Sequence, residues 1–240
     1  MNIIVIFGLL MVIGLIIVSL IHEKQKKQQK LGLQQRRLRV QVEELYEILS
    51  CIEQTVGDKN LAKKINELIL GFLQSMRRLT NKPAPYIDAA IQKAAAHNLE
   101  LENPQLHFRV RYERESDAQI NKTQQHLMDT IGILSNLTEQ GRLPEAEFES
   151  YQNQLRWAHL MVAVMSFVAQ GNKCLSINDR VTAQAFYQRA LHQLMESPHP
   201  NPKRLGLIRE INEMLEGNRN GLSENLITAD QGFIADIDTI

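Results

Sequence analysis

Residues 160–169 read Leu-Met-Val-Ala-Val-Met-Ser-Phe-Val-Ala, apolar on almost every side of a helix. A helix without a polar stripe has to be covered on more than one side, so this stretch predicts the central member of a helical bundle. It lies inside a longer helical run that starts at Pro144, where proline suits the first turn and Glu145 and Glu147 favour the positive end of the helix dipole. The run continues through Tyr151, Leu155 and Val164 to about Ile177. Upstream, Ile120, Leu127, Met128, Ile131, Leu134 and Leu137 recur at helical spacing, and Gly141 closes that helix. Downstream, Leu205, Leu207, Ile208, Ile211 and Leu215 mark the apolar face of a helix over Pro202 to Leu215. The expected class is all-α.

Val164 to Ser197 has the length and pattern of a helical hairpin with a turn at Asn178-Asp179. Phe167, Gly171 and Cys174 mark its first helix, and Ala183, Tyr187 and Ala190 its second. In these positions the segment resembles a single tetratricopeptide repeat, in which small residues let two antiparallel helices pack closely and larger ones fill the groove between. Phe167 and Gln170 stand where that family has tryptophan and leucine, Cys174 where it has tyrosine, and Met195 where it ends in proline. The resemblance implies a protein-interaction fold. A helical hairpin without repeat ancestry carries the same pattern.

Toward the N-terminus the period changes once. In Gln105 to Glu113, Leu106, Phe108, Val110 and Tyr112 alternate with His107, Arg109, Arg111 and Glu113, which is strand patterning. One short extended segment is therefore expected at about 105–113, either paired, completing a partner's sheet, or lying on the surface. His107, Arg109, Arg111 and nearby Arg114 form the best candidate contact for an acidic partner. Before it, Leu61, Ile65, Leu68, Phe72, Leu73 and Met76 define a helix that pairs as an antiparallel hairpin with an earlier one, the two divided at Gly57-Asp58. That earlier helix carries a heptad seam, Leu38, Val42, Leu45, Leu49, Ile52 and Val56, read either as within-chain core or as a self-associating stalk.

The chain opens on an aliphatic run, residues 3–21, interrupted only by Gly8, Gly14 and Ser19. Its length of about 28 Å as a helix predicts a single membrane span. Lys24, Lys26, Lys27, Lys30, Arg36, Arg37 and Arg39 follow, so the expected topology is an inner-membrane, single-pass protein of bacterial type, N-terminus outside, with those cations on the lipid headgroups. The expected organisation is an anchor over 1–22, a basic juxtamembrane and heptad helix over 23–57, a helical region over 58–140, a repeat-like bundle over 141–216 and a disordered acidic tail over 217–240. The end of that tail, 232–240, is apolar and acidic, in the manner of a short docking peptide.

Lysine plus arginine equals aspartate plus glutamate at 27 each, so no global basic excess points to nucleic acid. No glycine-rich phosphate loop, dinucleotide fingerprint, His-Glu-x-x-His or Cys-x-x-Cys is present. Cys51 and Cys174 read as reduced core thiols, and the histidines lack ligand spacing, with His159 and His192 the only conceivable pair. No catalytic residue, cofactor, metal or small-molecule substrate is expected. The expected function is a membrane-anchored adaptor recruiting protein partners through its helical domain, with a self-associating coiled-coil membrane protein as the alternative and a membrane-tethered nucleic-acid-binding protein ranked below both.

Overall fold

The computed structural model describes the backbone of residues 2–80 and 83–227, and within them the side chains of 22–26, 29–80 and 83–227. Among the described residues eight helices follow in order: α1 (Asn2–Thr55), α2 (Lys59–Arg78), α3 (Pro85–Leu101), α4 (Asp117–Glu139), α5 (Glu145–Ser176), α6 (Arg180–Glu196), α7 (Lys203–Leu215) and α8 (Glu224–Ile227). The all-α character holds among the described residues, which contain no strand.

Among the described residues no helix is long and apolar enough to cross a membrane. The expected single-pass anchor is corrected on this finding: the membrane topology, the inner-membrane location and the bilayer as a partner have no basis in the described structure. From His22 onward α1 exposes Lys24, Lys26, Lys30, Arg36, Arg37 and Arg39, charges that a hydrocarbon core would not take. The side chains of 3–21, and that of Lys27, lie outside the described residues. So does the expected docking peptide at 232–240.

The chain divides into two compact units, one of Met1–Tyr46 with Asn66–Leu99, the other of Glu47–Ile65 with Glu100–Ile240. In the first, α1 and α2 run antiparallel. Gln35 Nε2 donates to Thr80 Oγ1 at 2.8 Å, while Val42, farther along α1, lines a cleft with Leu73 and Met76, earlier on α2. Asn66 is fully buried and fastens α3 through Nδ2, which donates to Ala94 O at 2.7 Å and Asn98 Oδ1 at 2.7 Å. The Arg77–Asp88 pair at 2.7 Å adds a second tie.

The heptad seam is interior at four of its six positions, Leu38 and Val56 being half-buried. Val42, Leu45, Leu49 and Ile52 are all buried by the chain itself, so no apolar stripe is left at these positions for a parallel coiled coil. The self-associating stalk is corrected on that ground: the widened stripe that includes buried Ile48 belongs to a core-facing helix.

The second unit is built on α5. Every residue from Leu160 to Val168 is buried, with α4 and α6 packed on α5, α7 on α6 and α8 on α7. Each large apolar side chain withdrawn from water here contributes about 1.5–3 kcal/mol. The helix ends are set by local chemistry. Ser116 caps α4 by accepting from Gln119 N at 3.3 Å, while Gln119 Oε1 accepts from Glu115 N at 3.0 Å. Gly141, at φ 69°, turns the chain after α4. Asn178, at φ 62°, and Asp179, which accepts from Thr182 N at 3.1 Å, make the α5–α6 turn.

The tail does not lose structure at Gly217. Residues 218–227 fold back on α7, where Glu210 accepts from Ser223 N at 2.8 Å and Ser223 Oγ at 2.6 Å. Leu226 covers Gly206, with Cδ2 only 3.0 Å from where a Cβ would stand.

Candidate functional site

The segment expected as a strand is extended but has no strand partner. Residues 102–116 instead run as a strap over the α1–α2 turn and the middle of α5, all within the second unit. At its start Lys59 Nζ donates to the carbonyls of Asn103 at 3.1 Å and Pro104 at 3.3 Å. In its middle Val110 rests on Gly57, its Cγ2 2.7 Å from where a Cβ would stand, and Arg111 N donates to Gln54 O at 2.7 Å. At its end Arg114 N donates to Ser166 Oγ at 2.8 Å.

The alternation in sequence reappears as alternation in burial. Tyr112 is buried and Leu106, Phe108 and Val110 are half-buried, whereas His107, Arg109, Arg111 and Glu113 are exposed. Extended backbone puts alternate side chains on one face about 7 Å apart. His107, Arg109 and Arg111 therefore form an outward row, and none of the three has an ion pair among the described residues. The backbone groups of His107, Phe108, Arg109 and Val110 make no hydrogen bond among the described residues. They remain available to a second extended chain.

Arg114 plays a different part from the other three cations. Its guanidinium is turned inward, donating to Thr123 Oγ1 at 3.0 Å, Arg111 O at 2.9 Å and Glu113 O at 2.8 Å. Burial pulls it below the ordinary arginine range, with Cys51 opposing that shift and Arg111 adding to it. It clamps the strap rather than presenting charge. Ser166, in the centre of the all-apolar stretch of α5, is fully buried and also donates to Val162 O at 2.5 Å. Its hydroxyl satisfies its own helix on one side and the strap on the other.

The repeat-like residues come together as packing. Phe167, Gly171, Ala183, Tyr187 and Ala190 are buried and Cys174 is half-buried. Tyr187 lies over Gly171, and its hydroxyl donates to Asn172 Oδ1 at 2.7 Å. Arg189 stacks on the Phe167 ring at 4.1 Å and pairs with Asp117 at 3.1 Å. None of the buried members offers a surface to a partner.

The conceivable histidine pair is not assembled. His159 Nδ1 faces Gln124 Nε2 at 3.4 Å, while His192 pairs with Glu196 at 3.2 Å on the exposed side of its own helix. No cluster of histidine, cysteine and carboxylate among the described residues is arranged to hold a metal ion. Cys51 is a free thiol, its Sγ 3.8 Å from Thr123 O, and burial pushes it up. Of the cations expected on lipid, Arg39 pairs with Glu43 at 2.9 Å and Arg37 lines a cleft with Arg78.

The strap's anchors, Gln54, Gly57 and Ser166, carry no sequence signal of that role except the glycine, whose place at a helix break was visible. No family model matches the chain, and no curated protein or solved structure is significantly similar to it.

Proposed function

We propose that the chain is a helical protein-interaction module that binds an acidic, extended segment of a protein partner along residues 106–111, without a chemical step. The observation that carries this reading is the outward row His107, Arg109 and Arg111 on backbone whose groups from His107 to Val110 make no hydrogen bond among the described residues. An extended partner would add main-chain hydrogen bonds for affinity, and carboxylates at alternate positions would meet the guanidinium groups. The tetratricopeptide-like character of the α5–α6 hairpin supports a protein partner. The same hairpin braces the strap through Ser166.

The test is fluorescence anisotropy of a fluorescein-labelled peptide alternating glutamate with valine, titrated with the full-length chain. Saturable binding that weakens with added salt is expected. Arg109→Glu/Arg111→Glu, at exposed positions, should weaken it at least about tenfold, a loss of about 1.4 kcal/mol, with circular dichroism unchanged. Equal binding by that variant, or by a lysine-valine peptide, would overturn the reading.

A further inference from the structure

The first unit carries a surface of its own. Between α1 and α2 lies an open cleft of about 530 Å³, lined by Leu38 and Arg37 from α1 and by Arg78 of α2 and Leu79 just beyond it. Its remaining lining consists of amides and a hydroxyl, with no carboxylate. Neither Arg37 nor Arg78 has an ion pair among the described residues.

We propose that this groove takes an acidic amphipathic helix of a partner protein. Both walls are helices, and a helix laid in the groove between them would complete a three-helix packing at the usual spacing of about 8–10 Å. Its apolar stripe would cover Leu38 and Leu79, and carboxylates on its flanks would meet Arg37 and Arg78. The charge of the surface decides between occupants. From Lys24 to Arg39 the exposed, described side chains of α1 are cationic wherever they are charged, so a second copy of this chain would bring like charges together. A partner of opposite sign gains from every one of them.

The experiment uses the full-length chain and a fluorescein-labelled helical peptide with leucines at i, i+3, i+4 and i+7 and glutamates on the flanks. Saturable anisotropy is expected, at least tenfold weaker for Arg37→Glu/Arg78→Glu and weakened again by Gln34→Glu/Gln41→Glu at the exposed lining amides, with helical content unchanged. Arg109→Glu/Arg111→Glu should leave this binding intact, and the groove variants should leave the glutamate-valine peptide of the strap intact, so the two sites fail or stand independently. Absence of saturable binding, retention by both groove variants, or equal binding of a lysine counterpart would overturn the proposal. So would sedimentation showing self-association that Arg37→Glu/Arg78→Glu abolishes, which would make a second copy the occupant.

Discussion

The ring of Tyr187 lies directly on the bare backbone of Gly171: a Cβ at that glycine would overlap Cε1 and stand 2.8 Å from Cδ1. The ring has little room to yield, being 2% exposed and held through its hydroxyl to Asn172 at 2.7 Å. Gly171→Ala should therefore destabilise by up to about 2 kcal/mol, overpacking of about 1–3 kcal/mol being set against a helix-propensity gain of about 1 kcal/mol. Urea unfolding measures it. In a Tyr187→Leu background the same change should become neutral or stabilising, because the overlap is gone and the propensity gain remains. Stabilisation in the native background would show that the α5–α6 contact is looser than this.

Gly57 meets two demands at once, a φ of 72° and the approach of Val110 Cγ2 to 2.7 Å from where a Cβ would stand. Gly57→Ala should cost about 1–2 kcal/mol for the left-handed backbone alone, with a further penalty from Val110. Val110→Ala relieves only the second, so the double variant should recover part of the difference between Gly57→Ala and the parent. Hydrogen exchange at the Arg111 amide, bonded to Gln54 O, should quicken in Gly57→Ala if the strap lifts. Unchanged exchange would separate the stability of the turn from the seating of the strap.

The helices were legible because burial follows the 3.6-residue period: Leu61, Ile65, Leu73 and Met76 are buried where the pattern placed them. The alternation in 105–113 was legible too, and it does record which side chains face inward. What it could not reveal is the partner of the backbone, since alternation marks a covered face and carries no sign of a ladder. That partner proved to be Gln54 O and Ser166 Oγ, from segments far away in sequence. A serine in an apolar run reads as tolerated polarity until the chain folds. Asn66 likewise hid its role, since one buried amide has no period. The run at 3–21 predicted a membrane span from composition alone, and the described helices supply none.

Ser166→Ala tests the strap from the other end. The change removes the acceptor of Arg114 N–H and leaves that donor in a half-buried place, for a loss of about 1–3 kcal/mol in urea unfolding. Exchange of the Arg114 amide should rise in step, and affinity for the glutamate-valine peptide should fall even though no contacting side chain is altered. A stable variant with a protected Arg114 amide would mean that the inward guanidinium, bonded to Thr123 and to two strap carbonyls, suffices to hold the strap.

A half-buried histidine and a buried carboxylate should give acid unfolding two stages. Burial holds His159 below its ordinary value, and Gln124 Nε2, 3.4 Å from its Nδ1, favours the neutral ring. The unfolded chain binds a proton here below about pH 6.5 while the folded one does not, so stability falls as pH drops below that point. For Glu210 burial acts upward, but the Ser223 hydroxyl and amide and the Arg219 guanidinium at 3.6 Å outweigh it and hold the carboxyl below its usual value. Its contribution is complete above about pH 4.3 and is lost as pH falls through the lowered folded value. Urea midpoints across pH should therefore lose the upper stage in His159→Gln, while in Glu210→Gln the lower stage should shrink to what Glu47, held down by Lys122, and Asp179, held down by Thr182, leave behind. Glu210→Gln should also lose about 1.5–3 kcal/mol at neutral pH, the cost of hydrogen bonds to a charged group. If Glu210→Gln keeps the parent's lower stage, the carboxylate is not what ties residues 218–227 to α7.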